Sequence, residues 1–136
     1  MRRSYGLVFS LAAMLAATAG HAETISCELG TKPMLVAELF FGRSMDHGRV
    51  SERAWEMFVR DTMAPALPGF TVLDAAGGWR DPETHRVIRE PTKYVIVALD
   101  DTPASHEALR HVTETYSQRF HQRSVGLLLD RRCGKF

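Results

Sequence analysis

Between residues 77 and 99 the chain reads GGWRDPETHRVIREPTKYVIVAL, and six side chains in it could do chemistry: Trp79, Arg80, Asp81, Arg89, Glu90 and Lys93. Guanidinium and ammonium groups hold carboxylates or phosphates, Arg by a planar two-point grip and Lys as a point charge. An indole beside them supplies a wall on which a sugar can lie. Arg43, at the end of an earlier apolar run, adds another cation. A carboxylate in such company, Glu38 or Glu90, serves as a base where burial raises its pKa. Glu38, Arg43, Trp79, Arg80, Arg89, Glu90 and Lys93 therefore form the candidate ligand-binding set, for a small anionic or sugar-like molecule. The competing reading is structural. A charged hairpin is more often a solvated face or an ion-pair network, with Asp81 and Glu90 answering Arg80 and Arg89 while Trp79 covers the core edge.

Other chemistries find less footing. A helical metal pair needs histidines three or four apart, whereas His106 and His111 are five apart, and His47 and His85 fall in turns. No metal or cofactor is expected. Ser44, Ser51, Ser105, Ser117 and Ser124 sit in no nucleophile-elbow motif, and no glycine-rich phosphate loop or dinucleotide fingerprint is present. Cys27 and Cys133 are the only cysteines. They lack the C-x-x-C spacing of a redox pair and nearby histidines for zinc, so a structural disulfide across the whole domain is the favoured reading.

Residues 1–22 read as a leader: Arg2 and Arg3, an uncharged apolar run from Tyr5 to Ala19, then Gly20-His21-Ala22. That is the pattern of a secretory signal peptide with cleavage after Ala22, which puts the mature chain in the periplasm or outside the cell. No other segment is long and apolar enough to be a transmembrane segment. Residues 23–136 are expected to form a single α+β domain. Of 17 Lys and Arg residues two lie in the leader, leaving 15 against 16 Asp and Glu; that balance gives no electrostatic case for nucleic acid or an anionic membrane.

The elements that must position these residues follow from periodicity. MLVAELFF (34–41) reads as a strand. After a polar turn with Gly48 as its left-handed residue, Ser51 caps a helix whose face carries Ala54, Trp55, Phe58, Val59 and Met63, and which Pro65 and Pro68-Gly69 stop. FTVLDA (70–75) is a second strand, running on to Trp79 through Gly77-Gly78, where a bulge is expected. Residues 86–99 form a third, with Pro91 at a bulge or an open hydrogen-bonding position. Thr102 and Pro103 open a second helix with Leu109, Val112, Tyr116 and Phe120 on one face, and SVGLLL (124–129) is the last strand. The order is that of a ferredoxin-like β-α-β-β-α-β sandwich, a four-stranded antiparallel sheet with two helices on one face.

The other face of that sheet raises a question. Met34, Val36 and Phe40 share it with Tyr94, Ile96 and Ala98, and a solvated face should be more polar. Three covers suggest themselves: a second copy of the chain, an apolar ligand, or segment 23–33. A homodimer through this face is the leading expectation. Glu38 points to the same face and needs a partner there; Arg89, Lys93 and Arg131 are the candidates.

ELFFGR (38–43), FTVLDAAGGWRD (70–81) and Arg89-Glu90 with Lys93 together resemble a bacterial family of exported proteins known as domain of unknown function 3574. The resemblance spans about residues 35–133, and Gly42, Arg43, Gly78, Trp79, Arg80, Arg89, Glu90 and Lys93 stand at its motif positions. It implies no particular activity. The usual hairpin-turn glycine is replaced here by PETHR. The resulting reading is a small exported ligand-binding or accessory envelope domain acting as a homodimer. Its rivals are a small-molecule enzyme of the dimeric α+β barrel type, centred on Glu38 and Arg89, and a protein-interaction module using the open sheet face.

Overall fold

The computed structural model describes residues 25–136, so the leader lies outside the described residues. Strand β1 (Lys32–Gly42) is the inner strand from which the rest is organised. It pairs antiparallel with β5 (Val87–Leu99) on one side and β6 (Gly126–Gly134) on the other. Strand β4 (Thr71–Arg80) flanks β5, giving the order β4-β5-β1-β6. A two-residue pair, β2 (Ser44–Met45) and β3 (Gly48–Arg49), makes the polar turn, with Gly48 at φ +100°.

The first helical segment begins as α1 (Glu52–Phe58), where the Ser51 hydroxyl accepts from the Ala54 N–H at 3.1 Å. It continues through a π turn (Val59–Met63) into α2 (Ala64–Ala66). Pro65 therefore does not stop the helix. In a regular helix its ring would clash with the carbonyl four residues back, and the wider turn just before it lets the rod run one turn further. Helix α3 (Pro103–Arg119) is capped by Thr102 and opens on Pro103.

Odd-numbered residues of β1 and β5 face the helices and are buried: Leu35, Ala37, Leu39, Phe41, Val95, Val97 and Leu99. They pack with Trp55, Phe58 and Met63 below and Leu109, Val112 and Tyr116 beside them. Tyr116 sits at the centre of an aromatic group, 4.8 Å from Phe41 and 5.0 Å from Phe58 between ring centres. Its hydroxyl donates to the Gly42 carbonyl at 2.9 Å, which fastens α3 to the end of β1. Cys27 and Cys133 are joined by a disulfide, with Cα atoms 5.5 Å apart. No helix among the described residues is long and apolar enough to cross a membrane.

The register of the β4–β5 hairpin is unbroken from Thr71↔Ile96 to Arg80↔Val87. The expected bulge at Gly77-Gly78 is absent. Gly77 is needed for another reason: a methyl group there would meet Thr92 Oγ1 at 2.8 Å. Pro91 sits in the open position. Its carbonyl accepts from the Arg43 N–H at 3.0 Å, and the Arg43 carbonyl, which a donor at residue 91 would use, takes the Val50 N–H at 2.8 Å instead. The missing proline N–H thus costs no ladder bond. In place of a turn glycine, Asp81 Oδ1 accepts from the Glu83 and Thr84 N–H groups, and His85 takes the left-handed conformation at φ 56°.

Candidate functional site

The unbroken register divides the candidate residues into four places. Glu38 lies alone at the middle of the uncovered face. Arg43 and Lys93 lie under the helix side. Trp79 and Glu90 project from one face of the hairpin, and Arg80 and Arg89 from the other.

Arg43 and Lys93 are both buried. Arg43 donates from Nε and Nη2 to the Val50 carbonyl at 2.9 and 2.7 Å, closing the turn over residues 44–49, and from Nη1 to Glu52 at 2.9 Å. Lys93 Nζ lies 2.6 Å from Glu52 Oε1 and 2.6 Å from Asp74 Oδ1. The hydrogen bond from Lys93 is the main reason the Glu52 and Asp74 carboxyls are held below their usual range. Burial alone would lower the Lys93 pKa, but the two carboxylates outweigh it and leave the ammonium raised. Both cations are thus committed within the protein. Glu52, the residue they share, carries no motif; only its place behind the Ser51 cap marks it in the sequence.

Glu38 meets none of the cations named for it. Arg89, Lys93 and Arg131 are odd-numbered and stand on the opposite face, and Arg131 reaches Asp101 at 2.7 Å. Glu38 instead accepts from the Tyr94 hydroxyl at 2.6 Å, with Arg132 Nη2 at 3.8 Å. That hydrogen bond raises the Tyr94 pKa, so the phenol stays a fixed donor. Around this polar centre, Phe40, Leu73 and Leu128 remain partly exposed.

Trp79 and Glu90 share a cleft of about 460 Å³ between the hairpin and two loops. Ile88 and Glu90 line the hairpin wall with Trp79; Asp46 and the loop carrying His121, Arg123 and Ser124 line the other. Gln122 Nε2 donates to the Ser44 carbonyl at 2.7 Å and ties those two loops together. Trp79 and Ile88 stay 42% and 37% exposed. The half-buried Glu90 lies over the bare α-carbon of Gly42, where a methyl group would sit 3.0 Å from each carboxylate oxygen. Its backbone carbonyl accepts from Thr92 Oγ1, but its carboxylate accepts no hydrogen bond among the described residues. Across the hairpin, Arg80 Nη1 donates to the His85 carbonyl at 3.0 Å, and Arg89 stands on that same far side. Asp46, His121 and Arg123 were not singled out by the sequence, because only the fold brings their loops to Trp79. No group of three or more potential metal ligands occurs among the described residues.

A family model described as "Protein of unknown function (DUF3574)" matches residues 36–136. No curated protein matches the chain. Among solved structures, a phage SAM lyase in complex with S-methyl-5'-thioadenosine is similar at 16% identity, covering 83% of this chain and 97% of that one, with a TM-score of 0.58. A phage SAM lyase in its apo state is similar at 18% identity, covering 82% of this chain and 92% of that one, with a TM-score of 0.57. At these identities the likeness is one of fold.

Proposed function

The chain belongs to the DUF3574 family, and on that premise we propose that it is an exported small-ligand-binding domain whose site is the cleft that Trp79 and Glu90 line together, facing the loops at Asp46 and His121. The ligand is a neutral, hydroxyl-bearing ring compound such as a sugar. One observation carries this reading: the Glu90 carboxylate is half-buried over Gly42, accepts no hydrogen bond among the described residues, and opens into a 460 Å³ cleft beside an exposed indole. A carboxylate accepts from two hydroxyls at once, and an indole offers a flat apolar wall to the ring. The cleft's charges are mixed, Asp46 and Glu90 against Arg123. The anionic alternative loses support because Arg43 and Lys93 are spent on Glu52 and Asp74.

The strand order supports a ferredoxin-like arrangement, and the phage SAM lyase complex supports the idea that such a fold can hold a small molecule. The leader in residues 1–22 and the Cys27–Cys133 disulfide support export to an oxidising compartment, the periplasm or beyond. Apolar side chains left exposed on the uncovered face and on β6 support a homodimer as the working form. An acid–base role at Glu38 gains nothing from Tyr94, which its hydrogen bond keeps protonated.

The test is a binding titration with neutral monosaccharides, followed by Trp fluorescence and NMR. Binding that is lost in Glu90→Gln and Trp79→Ala, at unchanged melting temperature, supports the site. Binding that survives both substitutions removes it.

A further inference from the structure

Strand β6 forms one edge of the sheet, and its first half is unusually apolar for an edge. Leu127, Leu128 and Leu129 are 39%, 59% and 45% exposed. Soluble proteins guard such strands with charge, proline or bulges, because the free N–H and C=O groups are a template for another strand.

The Arg43 N–H donates to Pro91, so odd-numbered residues of β1 turn their backbone groups toward β5 and even-numbered ones toward β6. Through the pairs Glu38↔Leu128 and Val36↔Asp130, even-numbered residues of β6 face β1. Leu127, Leu129 and Arg131 therefore face outward. The Arg131 N–H is already taken, by Asp130 Oδ1 at 2.8 Å. Among the described residues the open stretch is Leu127 to Leu129, closed on one side by Asp130 and on the other by the start of the strand.

We propose that a second copy of this chain pairs with β6 along that stretch, antiparallel, about a two-fold axis at Leu128. This deepens the homodimer reading and does not depend on the ligand. Leu127 then faces Leu129 of the second copy and exchanges two hydrogen bonds with it, and the symmetric pair does the same. Leu128 meets its own equivalent on the uncovered face. Sliding the register by two residues so that the axis falls at Leu129 would set Leu127 against Arg131, whose N–H is occupied. The result is a continuous eight-stranded sheet. It leaves Glu38 in water, whereas stacking two uncovered faces would press two Glu38 centres toward each other, a costly approach of like charges.

Native mass spectrometry and sedimentation of the mature, oxidised protein test this, with two variants. Leu129→Pro removes an outward N–H only, so the β1–β6 ladder and the melting temperature should hold, while the dimer's dissociation constant rises about a hundredfold or more. Leu128→Cys should give a dimer cross-linked through residue 128 on oxidation. A wild-type protein that is monomeric at high micromolar concentration overturns both this inference and the homodimer reading. A dimer that persists in Leu129→Pro overturns this inference alone and leaves the uncovered face as the contact.

Discussion

Replacing Lys93 by Met should cost little, while neutralising the carboxylates that hold it should cost more. The Lys93 side chain is 5% exposed, but Glu52 and Asp74 are 55% and 80% exposed. Lys93→Met leaves two carboxylates that water already reaches, and it removes the penalty of covering an ammonium; the net loss should be within about 1 kcal/mol. Glu52→Gln with Asp74→Asn does the reverse. The amides keep the cover and strand a buried charge with weaker acceptors, a cost of about 2–3 kcal/mol for Lys93, below that of a fully buried pair losing its partner because water reaches both acceptors. At about 4 °C per kcal/mol for a domain of this size, the single variant should melt within about 4 °C of wild type and the double about 8–12 °C lower. Thermal unfolding followed by circular dichroism on the oxidised protein decides it. A Lys93→Met loss as large as the double variant's would refute the asymmetry. Unchanged melting in both, with ligand binding lost, would return Lys93 to the binding site.

Further outcomes follow from the same geometry. Because Lys93 holds Glu52 and Asp74 below the usual carboxylate range, their contribution is present at neutral pH and is lost as pH falls through those lowered values. Acid titration of the melting temperature should therefore be shallower in Lys93→Met. Gly42→Ala places a methyl group 3.0 Å from the Glu90 oxygens, and should abolish sugar binding in the titration while shifting melting only slightly. His85→Gly relieves a left-handed residue at φ 56°, and should raise stability by about 0.5–1 kcal/mol in the same melts. Cys133→Ser opens a loop spanning 106 positions, and should cost about 5 kcal/mol in the chain-entropy account, read by denaturant unfolding.

The elements were legible because they rest on local chemistry. Ser51 and Thr102 cap their helices, Gly48 turns the chain, and the alternation of Leu35, Ala37, Leu39 and Phe41 marks the buried side of β1. The division of the candidate site was partly legible as well. Trp79 and Glu90 part from Arg80 and Arg89 by strand parity alone once the hairpin is taken as unbroken, but the Gly77-Gly78 pair suggested a bulge that would have reset that parity. Glu52 was hidden because its approach to Arg43 and Lys93 depends on how α1 docks on the sheet. The far wall of the cleft, with Asp46, His121 and Arg123, was hidden for a similar reason: two loops separated by most of the chain meet only through the Gln122–Ser44 contact.

Saturation-transfer NMR with a panel of neutral monosaccharides, on wild type, Glu90→Gln and Trp79→Ala, tests the cleft most directly. At least one sugar should give a signal with the wild-type protein that both variants lose while their melting temperatures hold. A silent panel with wild type, or signals that persist in both variants, would contradict a ligand site built on Trp79 and Glu90.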